Sequence, residues 1–160
     1  MAISLSTAGI TCGYGVETTE GTRPTTFKQI PRAMSLPNLN PTPQNIDVTP
    51  LDAEEFKEYI NGLKDTGGAL PVKFSLNDTL MTLWDEFVEA YKTAKAAGKA
   101  VWFTFHIPGL AKAFFFTCEP APLGFGGADV SAHLEIDAYV TPTGNIGWDT
   151  PVKPTAPTSA

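Results

Sequence analysis

The chain is poor in the side chains that usually build a reactive centre: among 160 residues it has two cysteines, Cys12 and Cys118, and two histidines, His106 and His133. No pair of them has zinc-ligand spacing of the C-x₂₋₄-C or H-x₃₋₅-H kind, so neither a metal nor another cofactor is expected. Two thiols are too few for a disulfide framework and read as buried free cysteines. Basic residues are scarce too, with 11 Lys and Arg against 17 Asp and Glu and a net charge of −6. Non-specific affinity for nucleic acid comes from cations that neutralise phosphates, so a sheath on DNA is not expected; DNA, if present, would be tolerated rather than gripped. Long hydrophobic runs are missing as well. The stretch AFFF at 113–116 falls far short of the ~20 apolar residues that span a bilayer. The opening MAISLSTAG has neither a basic start nor an apolar run, so synthesis in the cytoplasm and no membrane partner are expected.

What is present is one strong helical signal. In NDTLMTLWDEFVEAYKTAKAAG, residues 77–98, Leu80, Leu83, Trp84, Phe87, Val88, Tyr91 and Ala94 recur at three- and four-residue steps and share one stripe. Asn77 or Asp78 caps the start, Asp85, Glu86 and Glu89 precede Lys92, Lys95 and Lys99, and Gly98 ends it. A stripe holding Leu80, Trp84, Phe87, Val88 and Tyr91 predicts a helix that closes one side of a β core.

The rest reads as strand, turn or arm within a single domain over residues 1–150. Residues 1–21, with Gly9, Gly13 and Gly15 around Tyr14, read as an N-terminal arm or irregular strand that needs outside contacts to order, or as a frayed end. Short strands are expected at 26–31 and 32–36, turn chemistry at 38–44, and a strand through Ile46 and Val48. Residues 50–71 form a long excursion, either weakly helical or a hairpin or loop, and loops of that length in a compact domain commonly bind something. Strands follow at 72–76, 99–107 and 111–118, the last two joined through Pro108-Gly109 as a hairpin. Residues 130–140 alternate cleanly: Val130, Ala132, Leu134, Ile136, Ala138 and Val140 on one face, and Ser131, His133, Glu135, Asp137 and Tyr139 on the other. A turn near Trp148 and a flexible tail over 151–160 complete the chain.

No constellation makes an active site, and no enzyme is expected. Ser131, His133 and Asp137 have the residue types of a hydrolase triad, but four residues of extended chain hold Asp137 roughly 13 Å from His133. GFGGAD at 124–129 lacks the following Lys-Ser/Thr and the helix of a phosphate cradle. Asn77-Asp78-Thr79 fits a glycosylation acceptor, yet serves as a helix cap.

The order of short segments resembles the major tail proteins, or tail tube proteins, of long flexible-tailed bacteriophages. The resemblance runs from about Gly9 to Val140 through GYGVE at 13–17, IDVT at 46–49 with Leu51-Asp52, YINGLKDTG at 59–67, and the helix followed by FTFHIPG at 103–109. It implies a mainly β fold with one helix: a β-sandwich or half-barrel flanked by the helix, closing into a ring-shaped β-barrel on oligomerisation. Six copies would form a ring, and rings would stack into a tube that conducts DNA at ejection. The implied partners are further copies of the chain, the tape measure, tail terminator and tail tip proteins, and DNA in passage. The implied location is the virion tail. The proline cluster at Pro37, Pro41 and Pro43, and the short chain after Val140 with no appended Ig-like domain, depart from the pattern.

On this reading Ser131, His133, Glu135 and Asp137 line the lumen, where two carboxylates per copy repel phosphates within a Debye length. Tyr14, Glu17, Phe56, Tyr59, Leu63, Lys64 and Asp65 are the expected contacts between rings or subunits. The alternative is a β-sandwich carbohydrate- or host-binding module with Trp102 or Trp148 as a stacking platform.

Overall fold

The structure is a computed structural model that describes residues 8–65, 67–130 and 132–156, with the side chain of residue 65 left aside. It is mainly β, with 41% of the chain in strands and one helix. It has two compact units: Asn38–Gly68 forms one, and the rest of the described chain the other.

The larger unit contains β1 (Thr11–Val16), β2 (Lys28–Ile30), β3 (Ala33–Ser35), β6 (Leu70–Ser75), α1 (Asp78–Ala96), β7 (Val101–His106), β8 (Ala113–Pro120) and β9 (Glu135–Asp149). Its strands form one antiparallel sheet in the order β2-β1-β7-β8-β9-β6-β3. The two edge strands are consecutive in the chain. Only Pro31 and Arg32 separate Ile30 from Ala33, and an extended chain covers at most ~11 Å in those three steps. The two edges must therefore lie close together, and the sheet is a nearly closed barrel. The chain crosses the seam at Pro31-Arg32, where Arg32 takes φ 66° and its carbonyl accepts from the Ser75 N–H at 3.0 Å.

β9 serves two partners. Its first residues pair with β6 and its last with β8, and the register shifts between Phe116↔Ile146 and Cys118↔Pro142. The extra residues make a bulge around Gly144, at φ 127°, tied down by the Thr117 hydroxyl, which accepts from the Thr143 hydroxyl at 2.7 Å and the Asn145 N–H at 3.3 Å. A bulge bends its strand and adds twist, as a closing sheet requires. The turn expected near Trp148 is this bulge, and the strand continues through it.

The helix forms where the sequence places it. The Asn77 carboxamide accepts from the Leu80 N–H at 2.8 Å. Gly98, at φ 75°, lets the Lys99 N–H reach back to the Ala94 carbonyl at 2.8 Å and the Gly98 N–H to Lys95 at 3.1 Å, a Schellman ending. Leu80, Trp84, Phe87 and Val88 are buried; Tyr91, expected beside them, is only half-buried. Phe87 stacks on Tyr14 with ring centroids 4.5 Å apart and lies 5.8 Å from Phe103, while Trp84 meets Phe74 at 5.9 Å. The Trp84 indole N–H donates to the Ala121 carbonyl at 2.8 Å, so the largest core side chain has its one polar group satisfied.

Of the two readings of the N-terminal stretch, arm and irregular strand, residues 11–16 follow the second, and residues 1–7 lie outside the described residues. Residues 11–16 are an interior strand between β2 and β7, with Cys12 and Tyr14 in the core. On the other side of β1, the missing side chains of Gly13 and Gly15 admit the chain itself. A Cβ there would lie 2.4 Å from the Lys28 carbonyl oxygen and 2.7 Å from that of Thr26. Phe27, Ala113 and Phe115 form a second small core on that side, with Trp102 and Val152 packed against it. The flexible tail expected over 151–160 is corrected as far as Ala156: Val152 is half-buried, Pro154 is buried, and Thr155 makes a parallel bridge to Lys28. The rest of that expectation lies outside the described residues.

Asn38–Gly68 holds β4 (Thr42–Asp47) and β5 (Tyr59–Asp65), an antiparallel pair in register Asn45↔Asn61, Ile46↔Ile60 and Asp47↔Tyr59. The turn expected at 38–44 thus gives way to strand from Thr42, and of the readings offered for the 50–71 excursion the helix is not formed, while β5 pairs back on β4 as a hairpin before β6 begins. Pro43 is tolerated because the ladder shifts register beside it, in a strand with a free edge.

Candidate assembly surfaces

The β4–β5 hairpin has two strands and no layer of its own to cover them. Every residue of β4 is exposed, and so are Ile46, Val48, Leu51, Phe56, Tyr59, Ile60 and Leu63, with Phe56 at 80% and Leu63 at 85%. Ile46 and Ile60 are paired, and the Ile46 side chain lies over Gly62, where a Cβ would come within 3.1 Å of it. The connection is ordered by its own hydrogen bonds: the Val48 N–H donates to the Glu58 carbonyl at 2.9 Å, and the Thr49 hydroxyl accepts from the Glu58 N–H at 2.8 Å. Hydrogen bonds from Thr49 hold the Asp47 carboxyl below its ordinary pKa. A lone hairpin is marginal in water, and exposed apolar side chains on one make it a candidate interaction surface. Six carboxylates against two lysines make it acidic.

Of the expected inter-subunit residues, Phe56, Tyr59, Leu63 and Lys64 are exposed in this hairpin. Asp65 ends β5, and its side chain lies outside the described set. Tyr14 and Glu17 are corrected: both are buried in their own subunit, for the physical reasons of ring stacking and hydrogen bonding. Glu17 is 4% exposed; one carboxylate oxygen accepts from the Ala100 N–H at 2.7 Å and the Gly21 N–H at 3.3 Å, and the other from the Trp102 indole at 3.0 Å. Burial, then the Glu86 charge, raises the Tyr14 pKa.

The alternation expected over 130–140 holds only from Glu135 onward. Ile136, Ala138 and Val140 are buried, whereas Val130 is fully exposed and Leu134 is exposed at 41%. The reason is the partner: β6 ends at Ser75, opposite Glu135, and after the Leu76 N–H bonds the Leu134 carbonyl at 2.9 Å the chain turns into the helix. Of the lumen-lining candidates, Ser131 lies outside the described residues and His133 precedes the strand. The His133 imidazole is 3.0 Å from Glu135, Lys73 is 3.8 Å from the other oxygen of Glu135, and Asp137 stands opposite Lys73 in the ladder. These groups line a cleft of about 440 Å³ with Gly127 and Asp129. Lys73 therefore offsets part of the negative potential assigned to that face. Phe125 and Val130 are each exposed in the loop before β9, Val130 against the alternation reading.

A second cleft, of about 320 Å³, lies against Trp102, Phe115, Gly21, Arg23, Gly147 and Asp149. Arg23 and Asp149 form an ion pair at 2.7 Å, and the Arg23 guanidinium stands 4.2 Å over the Phe115 ring. The Thr150 N–H and then Arg23 lower the Asp149 pKa. This pair joins residues 126 positions apart, and no local pattern announces it.

Burial raises the Cys12 thiol to about 12 and pushes Cys118 up as well, so neither is a nucleophile at neutral pH. Among the described residues no group of three His, Cys, Asp or Glu could hold a metal ion, and no helix is long and apolar enough to cross a membrane. No family model matches the chain, and no curated protein matches it.

Proposed function

We propose that this chain is a non-enzymatic structural subunit that self-associates, and that the assembly is a bacteriophage tail tube of stacked hexameric rings. The observation that carries the reading is the exposed apolar hairpin of β4 and β5. Covering a Phe56 or Leu63 side chain gains roughly 1.5–3 kcal/mol, and a copy of the same chain is the partner always present at equal concentration. Among the described residues each hairpin strand also keeps one edge without a strand partner, whereas the seven-stranded sheet curls until its own edges approach. Strand pairing between copies is therefore assigned to β4 and β5. The net charge of −6, with Glu135 and Asp137 on an open face, suits a conduit that DNA passes without sticking. Tape measure, terminator and tip proteins would be the other contacts in a virion tail, after synthesis in the host cytoplasm.

The test is the double substitution Phe56→Ser with Leu63→Ser. Both side chains are exposed in the single chain, so its melting temperature should stay within a few degrees of the parent while self-association is lost. Rings from the double variant, seen by negative-stain microscopy, would remove the hairpin from the interface.

The second reading, a carbohydrate-binding module, is favoured by the cleft at Trp102, where a half-buried indole lies near the Arg23–Asp149 pair. Titration with oligosaccharides while following the fluorescence of Trp102 and Trp148, which both line this cleft, separates the two. A saturable change abolished by Arg23→Ala supports the module, and no change supports the structural subunit.

A further inference from the structure

We infer that the groove along β2 that holds residues 152–155 is an exchangeable docking site: in the self-associated protein it takes the same segment from a second copy of the chain. The seat is shaped for this segment. Gly13 leaves a slot in which Pro154 is buried, with the Pro154 Cβ only 3.0 Å from where a Gly13 Cβ would stand. Val152 packs against Phe27, Ala113 and Phe115. Thr155 reads the backbone on both sides of Lys28, donating its N–H to the Phe27 carbonyl at 2.8 Å and accepting from the Gln29 N–H at 2.9 Å. Those groups belong to the outer edge of β2, which would otherwise offer unpaired donors and acceptors to any passing strand.

The hold in cis is slight. Pro151 and Pro154 have no N–H to give, so the pairing reduces to one bridge, whereas β1 and β7 pair over six residues. The connection is also short. Asp149 is anchored by Arg23 at 2.7 Å and caps the Thr150 N–H at 2.8 Å, which leaves Thr150 and Pro151 to carry the chain from β9 to the seat. Short hinges with restricted φ are where identical segments exchange between copies, because every contact made in cis is reproduced in trans and only the hinge changes. Neighbouring copies held together by another surface would supply the high local concentration that lets the trans arrangement compete. The inference needs self-association, and does not need a tube.

Cross-linking tests it on the full chain, with Lys28→Cys and Thr155→Cys placed at the bridged pair. The double variant, oxidised as a dilute monomer, should form a disulfide within the chain; failure to do so would contradict the seat itself. At concentrations where the protein self-associates, a mixture of the two single variants should give a covalent heterodimer linked 28–155, identified by peptide mass. Buried Cys12 and Cys118 should take no part. Rings in which the single variants stay unlinked and the double variant links only within chains would overturn the exchange and leave the ring reading intact. A linked dimer that grows no further would support the exchange and overturn the ring. A chain monomeric at all concentrations would overturn both.

Discussion

Replacing Glu17 by Gln separates a buried clamp from a subunit contact. The carboxylate is used on both oxygens: one accepts from Ala100 and Gly21, the other from the Trp102 indole. Gln has the same shape but one oxygen. If that oxygen keeps the two backbone donors, the amide nitrogen faces the indole N–H, donor against donor. The change loses one charge-assisted hydrogen bond and leaves a part-buried donor unpaired, about 2–3 kcal/mol in all, while Glu17→Ala, losing all three bonds, should cost about 3–5 kcal/mol. For a chain of this length about 1 kcal/mol moves the melting temperature by ~2–4 °C, so Glu17→Gln should melt roughly 4–12 °C lower. Thermal unfolding followed by near-UV circular dichroism measures it. Repeating the substitution in a Trp102→Phe background isolates the indole bond, because the Gln penalty should shrink once its donor partner is gone. A Glu17→Gln chain within about 0.5 kcal/mol of the parent but defective in self-association would refute the clamp and return Glu17 to the subunit interface.

Other expectations follow from the same structure. Deleting residues 1–16 removes β1 from between β2 and β7, so the chain should lose its cooperative unfolding transition; a truncated chain that melts like the parent would make the segment an arm after all. Gly13→Ala forces a Cβ to 2.4 Å from the Lys28 carbonyl oxygen and should destabilise by about 1–3 kcal/mol in urea titration, with no loss if β2 can shift freely. Cys12 should resist alkylation in the folded protein. Its folded pKa, raised from 9.0 to about 12, means that its contribution is complete below about pH 9 and is lost as pH rises toward 12, by roughly 1.4 kcal/mol per pH unit. Cys12→Ala should flatten the alkaline fall in stability, and an unchanged slope would show the thiol to be solvated.

The helix was readable because all its signals are local: the stripe, the Asn77 cap and the Gly98 ending are written within 22 consecutive residues. The aromatic hairpin of β7 and β8 was readable from alternation and Pro108-Gly109. β1 was legible only as an arm or irregular strand, not as an interior one, because its signal is half absence. Cys12, Tyr14 and Val16 alternate with glycines, and a bare face reads as flexibility until another segment is known to cross it. Residues 130–134 were overread because alternation shows which face a strand would bury and not whether a partner strand extends that far. Prolines made 151–156 look like a free tail, though Pro154 fits a slot that only a distant glycine provides. Among the candidate contacts, the exposure of Phe56, Tyr59, Leu63 and Lys64 was legible because they sit amid polar residues. The burial of Tyr14 and Glu17 was not, since their partners Phe87 and Trp102 are more than 70 residues away.

Chemical cross-linking of the concentrated protein, read beside negative-stain images of the same sample, tests self-assembly most directly. The account predicts rings and stacked tubes and a ladder of cross-linked species that ends at six. A ladder ending at two or three would contradict the ring, and a monodisperse monomer at every concentration would contradict self-assembly itself.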